Sequence, residues 1–140
     1  MIQTAFDTAL KKMKERNWDS ISIAIDWHDT MCKSTYNTNI AYDFYPDAAR
    51  TIRMLSDDPR FVLILFTSSF IDKSLAFTKA CWEEHGIEFS FINENPSIKN
   101  TEYGDFSKKF YYDILLDDKA GFEPDYDWKA IRIHLLKESK

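Results

Sequence analysis

Six consecutive apolar residues, FVLILF at positions 61–66, set the tightest limit on what this chain can fold into. A strand with one wet face alternates polar and apolar side chains. A strand without alternation is buried on both faces, as in the interior of a parallel sheet. Parallel neighbours cannot be joined by a tight hairpin and need crossovers, usually helical ones. The run therefore predicts helices before and after it.

The rest of the sequence supplies them. Near the start, Ile2, Phe6, Leu10 and Met13 share one helical face, with Lys11, Lys12, Lys14 and Glu15 mostly off it. That spacing predicts an amphipathic helix over residues 1–17, packed on the body of the domain. Asp19 and Ser20 break it, and 21–25 (ISIAI) predicts a short strand. Pro46 suits the first turn of a second helix with Ala49, Ile52 and Leu55 inward. After the FVLILF strand a third helix is expected from Asp72, with Leu75, Cys81 and Trp82 inward, closing at His85-Gly86. IEFSFI (87–92) and YYDILL (111–116) read as further strands. Trp128, Ile131, Ile133 and Leu135 suit an amphipathic stretch whose type the sequence leaves open. Alternating strands and helices predict an α/β fold, a three-layer sandwich around a central parallel, Rossmann-like sheet. With no repeat and no Gly/Ser linker, residues 1–140 are expected to form a single domain.

A net charge of −5 argues against a general nucleic-acid or anionic-membrane binder, which would need a basic surface. The first eighteen residues hold no continuous hydrophobic stretch, so neither a signal peptide nor a membrane span is expected there. Cys32 and Cys81 lie far apart, which favours a reduced, cytoplasmic setting over a disulfide framework.

Ligands of open parallel sheets bind at the carboxyl ends of the strands. Three of the predicted strands end in polar groups, at Asp26, Thr67 and Asp117. If they are neighbours, an acid, a hydroxyl and a second acid meet in one crevice. Carboxylates from two strands make a hard oxygen site suited to Mg²⁺. Beside a hydroxyl and a lysine, such a site could hold a phosphate, with Asp26 as nucleophile forming an aspartyl-phosphate.

These residues resemble the motifs of the haloacid dehalogenase-like phosphohydrolases. Asp26-Trp27-His28-Asp29-Thr30 after a hydrophobic strand is similar to their first motif, DxDx(T/V). Thr67, closing FVLILF, is similar to the second, and Asp117-Asp118 after YYDILL to the fourth. Lys109, with Lys108 as the neighbouring candidate, has the spacing of the phosphate-anchoring lysine. The resemblance covers residues 21–122 and implies a small, capless member of the superfamily. It implies Asp26 as nucleophile and Mg²⁺ ligand, the His28 backbone carbonyl as a second ligand, and Asp117 and Asp118 as the remaining acids. Thr67 would bond the phosphoryl group and Lys109 would neutralise it.

The sequence departs from the family at position 28, where similar enzymes carry a second aspartate as general acid and base. Imidazole can perform that role, but it is larger and cationic when protonated. The alternative is thus a catalytically impaired relative that binds a phosphorylated ligand or partner.

Neither the gap between Thr30 and Pro46 nor that between Thr67 and Lys109 is long enough for a sizeable cap. An open site suits a phosphorylated small molecule or an exposed phosphate on a larger partner. Thr30 and Ser68 beside the motifs, and Tyr36 and Asn39 in the first gap, are the expected substrate contacts.

Overall fold

The computed structural model describes residues 1–35 and 39–138; the expectation for Tyr36 lies outside them. The chain runs α1 (Ile2–Arg16), β1 (Ile21–Asp26), α2 (Ala48–Asp57), β2 (Phe61–Phe66), α3 (Ile71–His85), β3 (Phe91–Ile92), β4 (Ile114–Leu116) and α4 (Asp127–Glu138). A single 3₁₀ turn, Asp118–Ala120, follows β4. The C-terminal amphipathic stretch is thus a helix.

The four strands form one all-parallel sheet in the order β3-β2-β1-β4. FVLILF lies inside it, between β1 and β3, as its lack of alternation requires. Ile21 pairs with Phe61 and Asp26 with Phe66, while Ile25 pairs with Leu116. This register sets the carboxyl ends of β1, β2 and β4 level. The chain leaves β1 toward β2 on one side, and β4 returns on the other. The switch point of the sheet therefore lies between β1 and β4.

One face of the sheet carries the odd-numbered Ile21, Ile23, Ile25, Phe61, Leu63 and Leu65. They pack with Phe6 and Ala9 of α1, Ile52 and Leu55 of α2, Phe77 and Cys81 of α3, and Trp128, Ile131 and Leu135 of α4. Each fully buried aliphatic or aromatic side chain contributes ~1.5–3 kcal/mol, so this cluster dominates the stability of the fold. Crossovers β1-α2-β2 and β2-α3-β3 step in the same direction, and right-handedness then puts α2 and α3 on one face. The other face, with Ser22, Ala24 and Ile64, is met by the irregular segment 93–113. Asn95 Nδ2 donates to Ser22 Oγ at 3.0 Å and to the Tyr111 carbonyl at 2.9 Å. Phe110 meets Phe66 edge-on, ring centroids 5.8 Å apart.

Several expectations shift in detail. Pro46 precedes α2 rather than opening it; Asp47 is its N-cap, and Ala48 rather than Ala49 is fully buried. The expected strands 87–92 and 111–116 shorten to Phe91–Ile92 and Ile114–Leu116. Leu75 and Trp82, expected inward, are exposed, and Ser74, Phe77 and Cys81 form the buried stripe of α3. Successive helical residues turn by ~100°, which sets Leu75 and Trp82 on a different side from Phe77 and Cys81. Among the described residues no helix is long and apolar enough to cross a membrane.

Candidate functional site

Beyond β1 the chain makes a tight turn that aims its polar groups across the switch point. The Trp27 carbonyl accepts from the amides of Met31 and Cys32 at 3.0 and 3.1 Å, and the Asp29 amide donates to the Cys32 carbonyl at 2.7 Å. Asp29 sits in the left-handed region (φ 62°), which Asp tolerates better than most residues. Two indoles pin the turn. Trp27 is buried, stacks on Phe77 at 4.2 Å and donates to the Ala41 carbonyl at 3.0 Å. Trp128 of α4 donates to the Thr30 carbonyl at 2.8 Å.

Thr30 is wholly buried and stands between two acids. Its Oγ1 lies 3.1 Å from Asp26 Oδ2 and 3.1 Å from Asp118 Oδ1, and it accepts from the Asp118 amide at 2.9 Å. A hydroxyl has one proton, so it donates to one carboxylate at a time. Asp117 caps the 3₁₀ turn by accepting from the Lys119 amide at 3.0 Å. Gly121 ends that turn at φ 96°, where a Cβ would be strained.

Asp26, His28, Asp29, Phe66, Thr67, Ser68, Asp117, Asp118 and Lys119 line one cleft of about 450 Å³ at the carboxyl ends of β1, β2 and β4. Carboxylate oxygens of Asp26, Asp117 and Asp118 lie within 4.8 Å of one another. Burial and the nearby Asp117 push the Asp26 carboxyl up to about 7; Asp118 adds to this and the Thr30 hydroxyl opposes it. Three acids crowded this closely offer oxygen ligands of the kind a hard divalent cation takes. His28 is stacked on Trp27 with ring centroids 4.5 Å apart. Burial lowers its pKa from 6.5, against the raising effect of Asp29, so the neutral imidazole is favoured.

Thr67 and Ser68 reach the cleft from the end of β2, and Thr67 is held by Asn93 at the end of β3. The Thr67 amide donates to Asn93 Oδ1 at 2.8 Å, and Asn93 Nδ2 donates to the Thr67 carbonyl at 2.7 Å. Asn93 takes the left-handed conformation (φ 54°) that aims its amide back at β2. A polar residue able to adopt that conformation, directly after IEFSFI, was the sequence signal for this clamp.

Thr30, Asn39, Lys109 and its neighbour Lys108, all expected at the site, do not line the cleft; Thr30 is wholly buried. Lys109 is not among the cleft residues, and its Nζ stands 5.8 Å from the Tyr112 ring centroid. The Asp113 amide bonds the Ser22 carbonyl at the amino end of the sheet, roughly 13 Å along the strands from Asp26 at ~3.3 Å per residue. Before Asp113 the chain crosses the second sheet face, where Phe110 packs on the cleft residue Phe66, so this segment passes close to the cleft although Lys109 itself does not line it. Lys108 lines a different cleft with Asn93, Asn95 and Phe110. The lysine at the site is Lys119, which the DDKAG turn places at the mouth and which sequence spacing overlooked. Asn39 does not line the cleft either; its carbonyl accepts from Thr35 Oγ1 at 3.1 Å. A second imidazole–carboxylate group, His134 with Asp7 at 2.7 Å and Glu138 at 3.4 Å, ties α1 to α4 on the helical surface.

No family model, no curated protein and no solved structure matches this chain.

Proposed function

We propose that the protein is a Mg²⁺-dependent phosphatase of the haloacid dehalogenase type, acting on phosphomonoesters through an aspartyl-phosphate at Asp26. The observation that carries it is the meeting of three carboxylates with Thr67, Ser68 and Lys119 at the switch point of a parallel sheet. A three-layer arrangement belongs to the same proposal, with the irregular segment 93–113 rather than helices as its third layer. Mg²⁺ held by Asp26, Asp117 and Asp118, with the His28 carbonyl, would supply positive charge to the phosphoryl oxygens.

In the first half-reaction the Asp26 carboxylate attacks phosphorus, the P–O ester bond breaks, and the leaving oxygen takes a proton from the His28 imidazolium. In the second, water attacks the same phosphorus, neutral His28 takes its proton, and Asp26 and inorganic phosphate are released. Thr67 and Ser68 donate to the phosphoryl oxygens, and the Lys119 ammonium offsets their charge. The open cleft suits a phosphorylated small molecule or a phosphate on a larger partner.

His28 also favours a second reading. Desolvation of the half-buried imidazole lowers its pKa and disfavours the imidazolium that would protonate the departing oxygen, and losing that role costs on the order of 10²–10⁴ in rate. The protein would then bind phosphorylated ligands without turning them over. Assays of an aryl phosphate and a phosphometabolite panel with Mg²⁺ separate the two. Activity lost in Asp26→Asn supports the enzyme. A silent wild type that gains turnover with His28→Asp supports the binder, and silence in both removes the phosphatase proposal.

A further inference from the structure

Helix α3 is apolar on two sides and covered on one. Ser74, Phe77 and Cys81 face the core. Ile71, Leu75 and Trp82 are 61%, 55% and 61% exposed, and Phe70, just before the helix, is 78% exposed. Scattered exposed apolar residues are ordinary, whereas a continuous row marks an interaction surface. Ile71, Leu75, Thr78 and Trp82 follow the alternating four- and three-residue spacing of a coiled-coil seam.

We propose that this face is covered by α3 of a second copy of the chain, packed antiparallel about a two-fold axis beside Leu75. In that register Leu75 meets the partner's Leu75, and Ile71 fits between the partner's Thr78 and the partner's Trp82. Phe70 packs on the partner's Trp82, so every apolar residue of the row is matched. The charges select the same register. Asp72 and Lys79 lie on one edge of the row, and an antiparallel two-fold pair sets each edge against its own copy. Lys79 then faces the partner's Asp72, and the contact occurs twice. Lys79 already lies 3.8 Å from Glu83 along its own helix, an exposed pair too weak to hold it away. A register pairing Lys79 with the partner's Glu83 would strand Phe70 and Ile71 in water.

The four apolar side chains expose roughly 500 Å², and the flanking polar residues bring the face toward the ~800 Å² per partner of a standard interface. Phe70 follows Ser69, and Ser68 lines the cleft. The partner's Trp82 therefore stands beside the cleft mouth and forms a wall of the site.

Sedimentation velocity on the full chain over about 5–100 μM tests this, and it is independent of the chemistry at Asp26 because it reads mass alone. The wild type is expected to shift from monomer to dimer in that range. Leu75→Glu should stay monomeric with an unchanged circular dichroism spectrum. Lys79→Asp should weaken association about 10-fold, and Asp72→Lys with Lys79→Asp should restore it to within about 3-fold. A wild type that stays monomeric to about 100 μM, a Leu75→Glu variant that dimerises like wild type, or a double variant no tighter than Lys79→Asp would each overturn the proposal.

Discussion

Replacing Asp26 with Asn should make the metal-free protein more stable at alkaline pH, although it removes the proposed nucleophile. The Asp26 carboxyl is displaced from 3.8 to about 7 by burial and by Asp117 and Asp118. Because the folded-state value lies above the unfolded one, its contribution to stability is fully present below 3.8 and is lost as pH rises toward 7. A displacement of about 3 on the pH scale, at about 1.4 kcal/mol each, gives about 4 kcal/mol. The carboxyl is partly open to water, and solvent screening reduces this to about 2 kcal/mol. Asparagine keeps the shape, accepts from Thr30 and can donate to Asp118 as the protonated acid would. Thermal melts at pH 8 in EDTA should place Asp26→Asn about 5–10 °C above wild type. At pH 5 the gap should shrink by more than half. Adding Mg²⁺ at pH 8 should raise the wild type and leave the variant nearly unmoved. A variant melting below wild type at pH 8 in EDTA would refute the crowding of like charges on which this rests.

Three further outcomes follow from the same geometry. Thr30→Val removes the hydroxyl that takes the Asp118 amide and bridges the acids, and should cost about 1–3 kcal/mol in denaturant titrations while weakening Mg²⁺ binding; Thr30→Ser should keep both, and equal stability for Val and Thr would contradict it. Lys119→Ala should lower kcat/KM by about 10–100-fold and Lys109→Ala by less than about 3-fold; the reverse order would restore Lys109 as the phosphate anchor. Asn93→Gly preserves the left-handed backbone but deletes the clamp on Thr67, so kcat should fall while stability changes by under about 1 kcal/mol; an unchanged kcat would show that Thr67 needs no such support.

Much of the fold was legible because its signals are local. The unbroken FVLILF run marked an interior strand, and the 3.6-residue periodicity around Phe6 and Ile52 marked packed helices. Asp26, Thr67 and Asp117 could be read as strand ends because each directly follows an apolar run, and a parallel sheet in register brings such ends level. Ser68 follows Thr67 and came into the cleft with it, whereas Thr30, expected to touch substrate, is wholly buried between Asp26 and Asp118 and supports the acids instead.

What remained hidden depends on position across the fold rather than along the chain. Lys109 has a suggestive spacing, yet it stands beside Tyr112 and does not line the cleft, while the DDKAG turn carries Lys119 there. Asn93 needed the pairing of β3 with β2 before its amide had anything to hold. Leu75 and Trp82 are hydrophobic, and hydrophobicity alone sent them inward; only the docking of α3 through Phe77 and Cys81 decided which side of that helix was left in water. The sequence by itself determined three of the four helices, the approximate places of the strands and which polar groups end β1, β2 and β4, since period and strand-end chemistry need no distant partner. Tertiary structure alone decided which lysine reaches the acids, what covers the second face of the sheet and which helix face stays open, because each depends on register between residues distant in sequence.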